Sequence, residues 1–264
     1  MLVYIFIALS LIGTALLYVA FPALSLWYVL LFLPGWFLAL NILYLLYLFL
    51  SSLFFSRKVP PGRDNPYCRG MMHITLDWLL TLFRVRYHVS GEEMLPTEPF
   101  VLISNHRSDF DPMVTFVALP RTRLSYISKE GNFRIPIAGR YIYHTAFLPL
   151  DRENPMRAMR TLREGARLVR EEGISMGIYP EGTRSRTGEL LPFKEGAFFL
   201  AKKAEAPLVV MVTEHTEDIP HNLLRRRTDV AVRILGVIDR ETVGRESTAE
   251  LSARTRAMME AALS

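Results

Sequence analysis

Three clusters of polar residues in this 264-residue chain have side chains that could carry out chemistry. The first holds His106 and Asp111 and directly follows the apolar run 100–103, which predicts a short buried strand. An imidazole titrates near neutral pH, and a carboxylate that accepts its second N–H fixes the tautomer and makes it a better base. The pattern therefore predicts a general base, His106, held by Asp111. An ordinary loop histidine and a helix-capping Asp111 are the structural alternatives.

This pairing requires a turn between the two residues. His106 and Asp111 are five positions apart, which would place them on different faces of a continuous helix. Asp111 stands directly before Pro112, a combination typical of a helix start. We therefore expect a strand, a turn and a helix, with His106 at the carboxyl end of the strand, where open α/β sheets bind their ligands.

The second cluster, residues 179–185 (Tyr-Pro-Glu-Gly-Thr-Arg-Ser), follows another apolar run. A glycine, hydroxyl groups and an arginine at the end of a strand can bind an anion, and arginine can contact phosphate through two N–H groups. The third cluster places Arg152 at the end of the run 146–150. Charged turns without a ligand are the structural alternative for both clusters.

A fourth pattern, G-x-S-x-G at residues 173–177, is typical of serine hydrolases. That motif needs a strand before the serine and a helix after it. Here a predicted helix precedes the motif and a predicted strand runs through it. We therefore expect Ser175 to be an ordinary strand residue.

Charge divides the chain into two parts. The formal net charge is +5, yet no Asp, Glu, Lys, Arg or His occurs before Arg57. The modest basic excess fits an anionic surface or a phosphate-bearing substrate, and no motif indicates nucleic acid binding. Cys68 is the only cysteine, so an intrachain disulfide is excluded and an oxidising compartment gains no support.

Residues 1–56 predict a membrane anchor of two hydrophobic helices, at 2–20 and 36–55, joined by an apolar connection at 22–34. A cleaved signal peptide would need a basic start and a shorter apolar run. Arg57, Lys58 and Arg63 predict a cytoplasmic location for the following domain. A hairpin that crosses the bilayer and one that enters a single leaflet are both compatible with the sequence.

Residues 57–264 predict one α/β domain after a polar linker at 58–66, with a mixed or mostly parallel sheet, because apolar strands alternate with helices. One predicted helix, 154–172, carries a stripe of arginines that would face solvent or anionic headgroups. The expected strands are 85–89, 100–103, 124–127, 146–150, 174–179, 208–212 and 230–235. The expected helices are 71–83, 112–119, 154–172, 195–204 and 248–262.

Taken together, the clusters match a set of family motifs. N-H-x-S-x-x-D is present as Asn105, His106, Ser108 and Asp111, a second motif ends at Asp151-Arg152, and F-P-E-G-T-R-S corresponds to 179–185. Weaker matches are Arg186-Thr187-Gly188, Phe193-Lys194-Glu195-Gly196, Ala206-Pro207-Leu208-Val209, and Lys129 ahead of Ile135-Pro136. Over residues 100–212 the chain resembles the membrane-bound glycerolipid acyltransferases of the 1-acylglycerol-3-phosphate O-acyltransferase (lysophosphatidic acid acyltransferase) type.

This resemblance implies acyl transfer from an acyl thioester, either acyl-CoA or acyl carrier protein, to the free hydroxyl of a membrane lysophospholipid. His106 and Asp111 would be catalytic, and neither a bound cofactor nor a metal is implied. Arg184, with Gly182 and Thr183, would hold the acceptor's phosphate, and Glu181 would position the acceptor or order the loop. Lys129 and Arg152 are further candidates for binding anionic parts of the substrates.

The chain departs from the family pattern in places. Tyr179 replaces the usual phenylalanine, Pro149 precedes the second motif, and residues 213–224 look unlike common members. The acceptor could accordingly be another lysolipid or glycerol 3-phosphate. From other classes, a membrane-tethered metal hydrolase using His106, Asp109 and Asp111 as ligands, or a non-catalytic lipid-binding protein, remain alternatives.

Overall fold

A computed structural model describes residues 1–56, 61–223 and 225–264. Arg57 and Lys58, on which part of the predicted orientation depends, lie outside these ranges. The ten α-helices within them are α1 Leu2–Ala20, α2 Val29–Ser52, α3 Pro66–Leu82, α4 Asp111–Ala118, α5 Ala138–Tyr143, α6 Pro155–Glu172, α7 Gly196–Ala204, α8 Ile219–Asn222, α9 Arg240–Arg245 and α10 Thr248–Leu263. The seven strands in the same ranges are β1 Val85–Ser90, β2 Val101–Ser104, β3 Leu124–Lys129, β4 Leu148–Leu150, β5 Ser175–Ile178, β6 Leu208–Glu214 and β7 Thr228–Ile238.

The strands form one sheet in the order β1-β7-β6-β2-β5-β3-β4. Only the β6–β7 pair is antiparallel, which confirms the expected α/β fold with a mostly parallel sheet. The carboxyl ends of β6, β2, β5, β3 and β4 consequently meet at one edge of the sheet. All three polar clusters found in the sequence follow strands that end at this edge.

Alternating residues of the central strand β2 supply two hydrophobic cores. Val101 and Ile103 pack with α6, α7 and α10 on one face, whereas Leu102 packs with α3 and α4 on the other. A parallel strand covered on both faces must be apolar throughout, which explains the uninterrupted run in the sequence. Ser175 is the first residue of β5 and is buried, as expected for a strand residue.

Helix ends follow local sequence signals. The side chain of Asn154 accepts the N–H of Arg157 at the start of α6, and Gly173 ends that helix with a left-handed φ of 69°. Ser247 and Glu250 form the capping box of α10. The helix predicted at 71–83 begins earlier, at Pro66, because Asn65 caps it.

α1 and α2 form an antiparallel hairpin, and both are long and apolar enough to cross a membrane. The N-terminal ammonium group of Met1 bonds the Asp77 carboxylate of α3 at 2.8 Å, and Tyr44 of α2 bonds Thr75 of α3. The start of α1 and the second half of α2 therefore lie against the α/β domain, while most side chains near the connection are exposed and apolar.

The predicted limits of the second apolar helix were wrong. α2 spans Val29–Ser52 rather than 36–55, and it contains Pro34, which had been expected to end the connection. In a lipid environment, backbone polar groups must form their hydrogen bonds within the protein. A helix satisfies nearly all of them, so it is retained there even when it contains one proline. The strand expected at 146–150 covers only Leu148–Leu150, because Ala146 has a φ of 60° and bonds Arg63 through its N–H.

Candidate active site

The turn between β2 and α4 brings His106 and Asp111 together. The Nδ1 atom of His106 lies 2.8 Å from Oδ2 of Asp111. Because an ionised carboxylate only accepts hydrogen bonds, Nδ1 donates and Nε2 keeps its free lone pair. The carboxylate is fully buried, whereas the imidazole keeps 14% of its exposure. This is the arrangement of a histidine base with an orienting acid.

Asp111 has hydrogen-bond donors on both carboxylate oxygens. Oδ2 also accepts the backbone N–H groups of Arg107 at 2.7 Å and Ser108 at 2.9 Å. Oδ1 accepts the hydroxyl groups of Thr213 and Thr216. A buried carboxylate needs such partners to remain charged. The two threonines come from the segment at and after the end of β6, and sequence reasoning missed them.

Asn105 fixes the end of β2 to β6. Its side-chain oxygen accepts the N–H of Thr213 at 2.8 Å, and its amide group donates to the carbonyl of the same residue at 2.9 Å. Both backbone groups of Thr213 are therefore satisfied by one side chain. The strand that carries His106 is thus tied to the strand that carries part of the Asp111 environment.

The side chain of Glu181 accepts hydrogen bonds from the backbone N–H groups of His106 and Leu191. It is buried, with one oxygen 2.7 Å from the N–H of His106 and the other 3.0 Å from the N–H of Leu191. Burial raises the pKa of Glu181, and the two backbone hydrogen bonds partly oppose that shift. These contacts order the loop around His106.

Two tyrosine rings lie behind the imidazole. The ring centroids of His106 and Tyr179 are 4.1 Å apart with an interplanar angle of 14°, and Tyr126 stacks on Tyr179 at 5.7 Å. Burial raises the pKa of both phenols, which keeps them neutral. The column fixes the plane of the imidazole, a role that the sequence did not reveal for either tyrosine.

Residues 182–184 form a small cationic loop next to this column. Gly182 adopts a left-handed φ of 69°. Among the described residues, the backbone N–H groups of Thr183 and Arg184 have no acceptor. The Arg184 guanidinium pairs with Asp109, and a Cβ placed on Gly182 would lie 2.9 Å from the ammonium nitrogen of Lys194. Free N–H groups with nearby cations can bind an anion. Lys194 stood in a matched motif, but it was not among the predicted binding residues.

Lys129 and Arg152 lie further along the same edge. Lys129 ends β3, where it is in register with Leu150 of β4, and Arg152 follows two residues after that strand. Both side chains are exposed, and neither forms an ion pair within the described ranges. The structure therefore brings His106, Asp111, Glu181, Gly182 and Arg184 together, and leaves Lys129 and Arg152 at a neighbouring position without direct contact.

The residues considered as metal ligands have other partners. Asp109 pairs with Arg184, and both oxygens of Asp111 accept hydrogen bonds from the protein. Within residues 1–56, 61–223 and 225–264, no three His, Cys, Asp or Glu side chains are placed to hold a metal ion. The ligand set required by the metal hydrolase alternative is not assembled in these ranges.

Comparison with known proteins identifies the family of this chain. A family model described as Acyltransferase matches residues 86–214. The 1-acyl-sn-glycerol-3-phosphate acyltransferase of Haemophilus influenzae is 33% identical over 201 residues, which cover 74% of this chain and 82% of that protein. The chain belongs to the glycerolipid acyltransferase family.

Other relatives share the same name over shorter stretches. The chain is 32% identical to the Saccharomyces cerevisiae enzyme over 65% of its length and 35% identical to the Escherichia coli enzyme over 61%. The matches span 57% and 65% of those relatives' lengths. The crystal structure of the 1-acyl-sn-glycerophosphate (LPA) acyltransferase of Thermotoga maritima shares the fold, with a TM-score of 0.64 at 23% identity, covering 84% of this chain and 87% of that one.

Proposed function

We propose that this acyltransferase moves a fatty acyl chain from an acyl thioester to the free hydroxyl of 1-acylglycerol 3-phosphate, which gives phosphatidic acid in phospholipid biosynthesis. The observation that carries the proposal is the hydrogen bond between His106 and Asp111 beside the cationic loop 182–184. The names of the relatives support the same acceptor. No covalent enzyme intermediate is needed, because a thiolate is a good leaving group.

In the proposed reaction His106 acts as general base. Its Nε2 removes the proton of the lipid hydroxyl while that oxygen attacks the thioester carbonyl. Asp111 stabilises the imidazolium that forms. The C–S bond then breaks, and the imidazolium returns its proton to the departing thiolate. The stack on Tyr179 keeps the ring in position through both proton transfers.

The acceptor's phosphate would bind at the loop 182–184. Lys194, which forms no ion pair within the described ranges, and the two free N–H groups of the loop supply the first contacts. Arg184 would exchange its ion pair with Asp109 for a bidentate contact with the phosphate. Lys129 and Arg152 extend the positive charge along the edge of the sheet towards β4.

The hairpin of α1 and α2 would hold the enzyme at the membrane, where its lipid substrate and product reside. We place the α/β domain on the cytoplasmic face. An exposed Ser264→Cys label tests this placement, because Cys68 is buried and burial raises its thiol pKa to about 12. A membrane-impermeant maleimide should label Ser264→Cys in inverted vesicles only, and labelling in intact cells would contradict the cytoplasmic placement.

An acyl-transfer assay on the purified chain tests the proposed function. Lysophosphatidic acid, other lysolipids and glycerol 3-phosphate are each combined with acyl-CoA and with acyl carrier protein. We expect transfer to lysophosphatidic acid to have the highest kcat/KM and to be insensitive to chelators. A higher kcat/KM for another acceptor would reassign the substrate, and chelator-sensitive hydrolysis would favour the metal hydrolase.

A further inference from the structure

A cavity of about 350 Å³ lies beside the His106 turn, on the side facing β6. Its walls come from three segments: Arg107 from the turn itself, residues 185–188 from the loop after β5, and Glu217 with His221 from the segment after β6. The last segment belongs to residues 213–224, where the sequence departs from the family pattern. The size is that of a small-molecule site.

The wall of this cavity contains unused hydrogen-bonding capacity. Arg107 donates to Glu217 at 3.0 Å and to the carbonyl of Gly188 at 3.0 Å. The Nε of Arg107 and the Oε2 of Glu217 are buried and have no partner among the described residues. A donor and an acceptor on neighbouring side chains match the C=O and N–H of an amide. Because neither atom has accessible surface, a ligand containing amide groups would satisfy both only after the two side chains turn towards the cavity.

The cavity also carries positive charge at its solvent side. Arg186 and His221 are exposed, and neither forms an ion pair within residues 1–56, 61–223 and 225–264. The guanidinium of Arg107 is neutralised by Glu217, so Arg186 supplies the net charge of the lining. The rim is therefore suited to an anionic group, while the interior is suited to an uncharged polar one.

The cavity lies directly beside the loop 182–184 proposed for the acceptor's phosphate, because residues 185–188 of its wall continue that loop. The N–H of Ser185 donates to the carbonyl of His106 at 2.8 Å, so the cavity wall and the catalytic turn are directly joined. Lys129 and Arg152 follow β3 and β4, which lie beyond β5. The cavity instead lies towards β6, on the other side of β2. The cavity and the side chains of Lys129 and Arg152 therefore lie in opposite directions from His106 along this edge of the sheet.

We propose that this cavity binds the phosphopantetheine arm of the acyl donor. The arm contains amide groups and ends in a phosphate, and it is common to coenzyme A and acyl carrier protein. The amides would pair with Arg107 and Glu217, and the phosphate would lie against Arg186 and His221. The inference depends on the proposed function, because it assigns the second substrate of that reaction.

Steady-state kinetics on the purified full-length chain test this assignment. The double variant Arg186→Gln/His221→Gln changes only exposed side chains, and Arg121→Gln, an exposed arginine before β3, is the matched control. We expect the double variant to raise the donor KM about five- to tenfold for both acyl-CoA and acyl carrier protein. The KM for lysophosphatidic acid should stay within about twofold, and the control should resemble the wild-type enzyme.

Other outcomes would overturn the assignment. A raised KM for the acceptor would give the cavity to the lysolipid, and an effect on acyl-CoA alone would give it to the nucleotide part of coenzyme A. An unchanged donor KM in an active enzyme would also contradict it. Failure of the wild-type enzyme to transfer any acyl group would instead refute the proposed function.

A binding measurement tests the cavity without turnover. Calorimetric titration of the wild-type chain with 4′-phosphopantetheine should show binding that Glu217→Gln weakens about tenfold, because one amide partner loses its acceptor. The thermal unfolding midpoint of Glu217→Gln is measured as well, to show that this variant is folded. If that midpoint falls, the binding measurement is made with the Arg186→Gln/His221→Gln variant instead. Absence of binding to the wild-type chain would contradict the proposal.

Discussion

The Nδ1 of His106 lies 2.8 Å from the Oδ2 of Asp111 across the turn that joins β2 to α4. The same oxygen accepts the backbone N–H groups of the two residues after His106. Asp111 consequently both shapes the turn and orients the imidazole. A single buried carboxylate thus links the local backbone conformation to the proposed base.

The Asp111→Asn substitution removes the charge of this side chain but keeps its shape, so it tests the contribution of the charge to catalysis. Asparagine in place of aspartate can keep its carbonyl towards the turn and its amide towards Thr213 and Thr216. It cannot stabilise an imidazolium to the same extent. We expect Asp111→Asn to lower kcat by about 10²- to 10⁴-fold. The control is Asp229→Asn, an exposed aspartate on β7, which should keep wild-type kcat.

The ring stack predicts different effects for two substitutions of Tyr179. Tyr179→Phe keeps the aromatic face that lies 4.1 Å from the imidazole, so we expect kcat to remain within about twofold. Tyr179→Ala removes that face and frees the ring of His106, so kcat should fall at least about tenfold. Equal activity of both variants would show that the stack does not position the base.

Glu181 predicts a pH dependence of stability with a defined sign. Because burial raises its pKa, the folded chain binds more protons than the unfolded chain between the ordinary and the raised value. The contribution of this group to the free energy of unfolding therefore falls as pH rises through that window. An ion-paired carboxylate behaves in the opposite way.

Thermal unfolding in micelles measures this effect. The midpoint of the wild-type chain minus that of Glu181→Gln should decrease from about pH 4.5 towards neutrality. Glu189→Gln, which changes an exposed carboxyl group in the same loop, is the control variant measured over the same pH range. A Glu181 difference that increases with pH would contradict the burial argument.

Lys194 and Arg184 are expected to act on the acceptor rather than the donor. Lys194→Met keeps the side-chain packing over Gly182 but removes the charge, and Arg184→Ala removes the guanidinium that pairs with Asp109. Each should raise the KM for lysophosphatidic acid about tenfold while the donor KM stays near the wild-type value. Equal increases in both KM values would argue against a phosphate site at this loop.

Much of the fold could be predicted because its signals are local. The capped helix α6 begins after Asn154 and ends before Gly173, as expected. The apolar runs at 100–103 and 208–212 correspond to the central strands β2 and β6. The pairing of His106 with Asp111 was also accessible, since it needs only one turn between a strand and a helix.

The remaining features depend on contacts distant in sequence. Thr213 and Thr216 reach Asp111 only because β6 pairs with β2, and the Tyr179 stack requires β5 to lie beside β2. Pro34 lies inside α2 although proline normally ends helices in water, because that rule does not hold in an apolar surrounding. No periodicity in the sequence indicates these relationships.

The most direct test of the account is the turnover of His106→Ala with lysophosphatidic acid and acyl-CoA. The variant should be purified from the membrane fraction and should unfold at nearly the wild-type temperature, because the ring makes one side-chain hydrogen bond at a partly exposed site. We predict that kcat falls by at least about 10³-fold. A folded His106→Ala variant that keeps near-wild-type turnover would contradict the proposed mechanism.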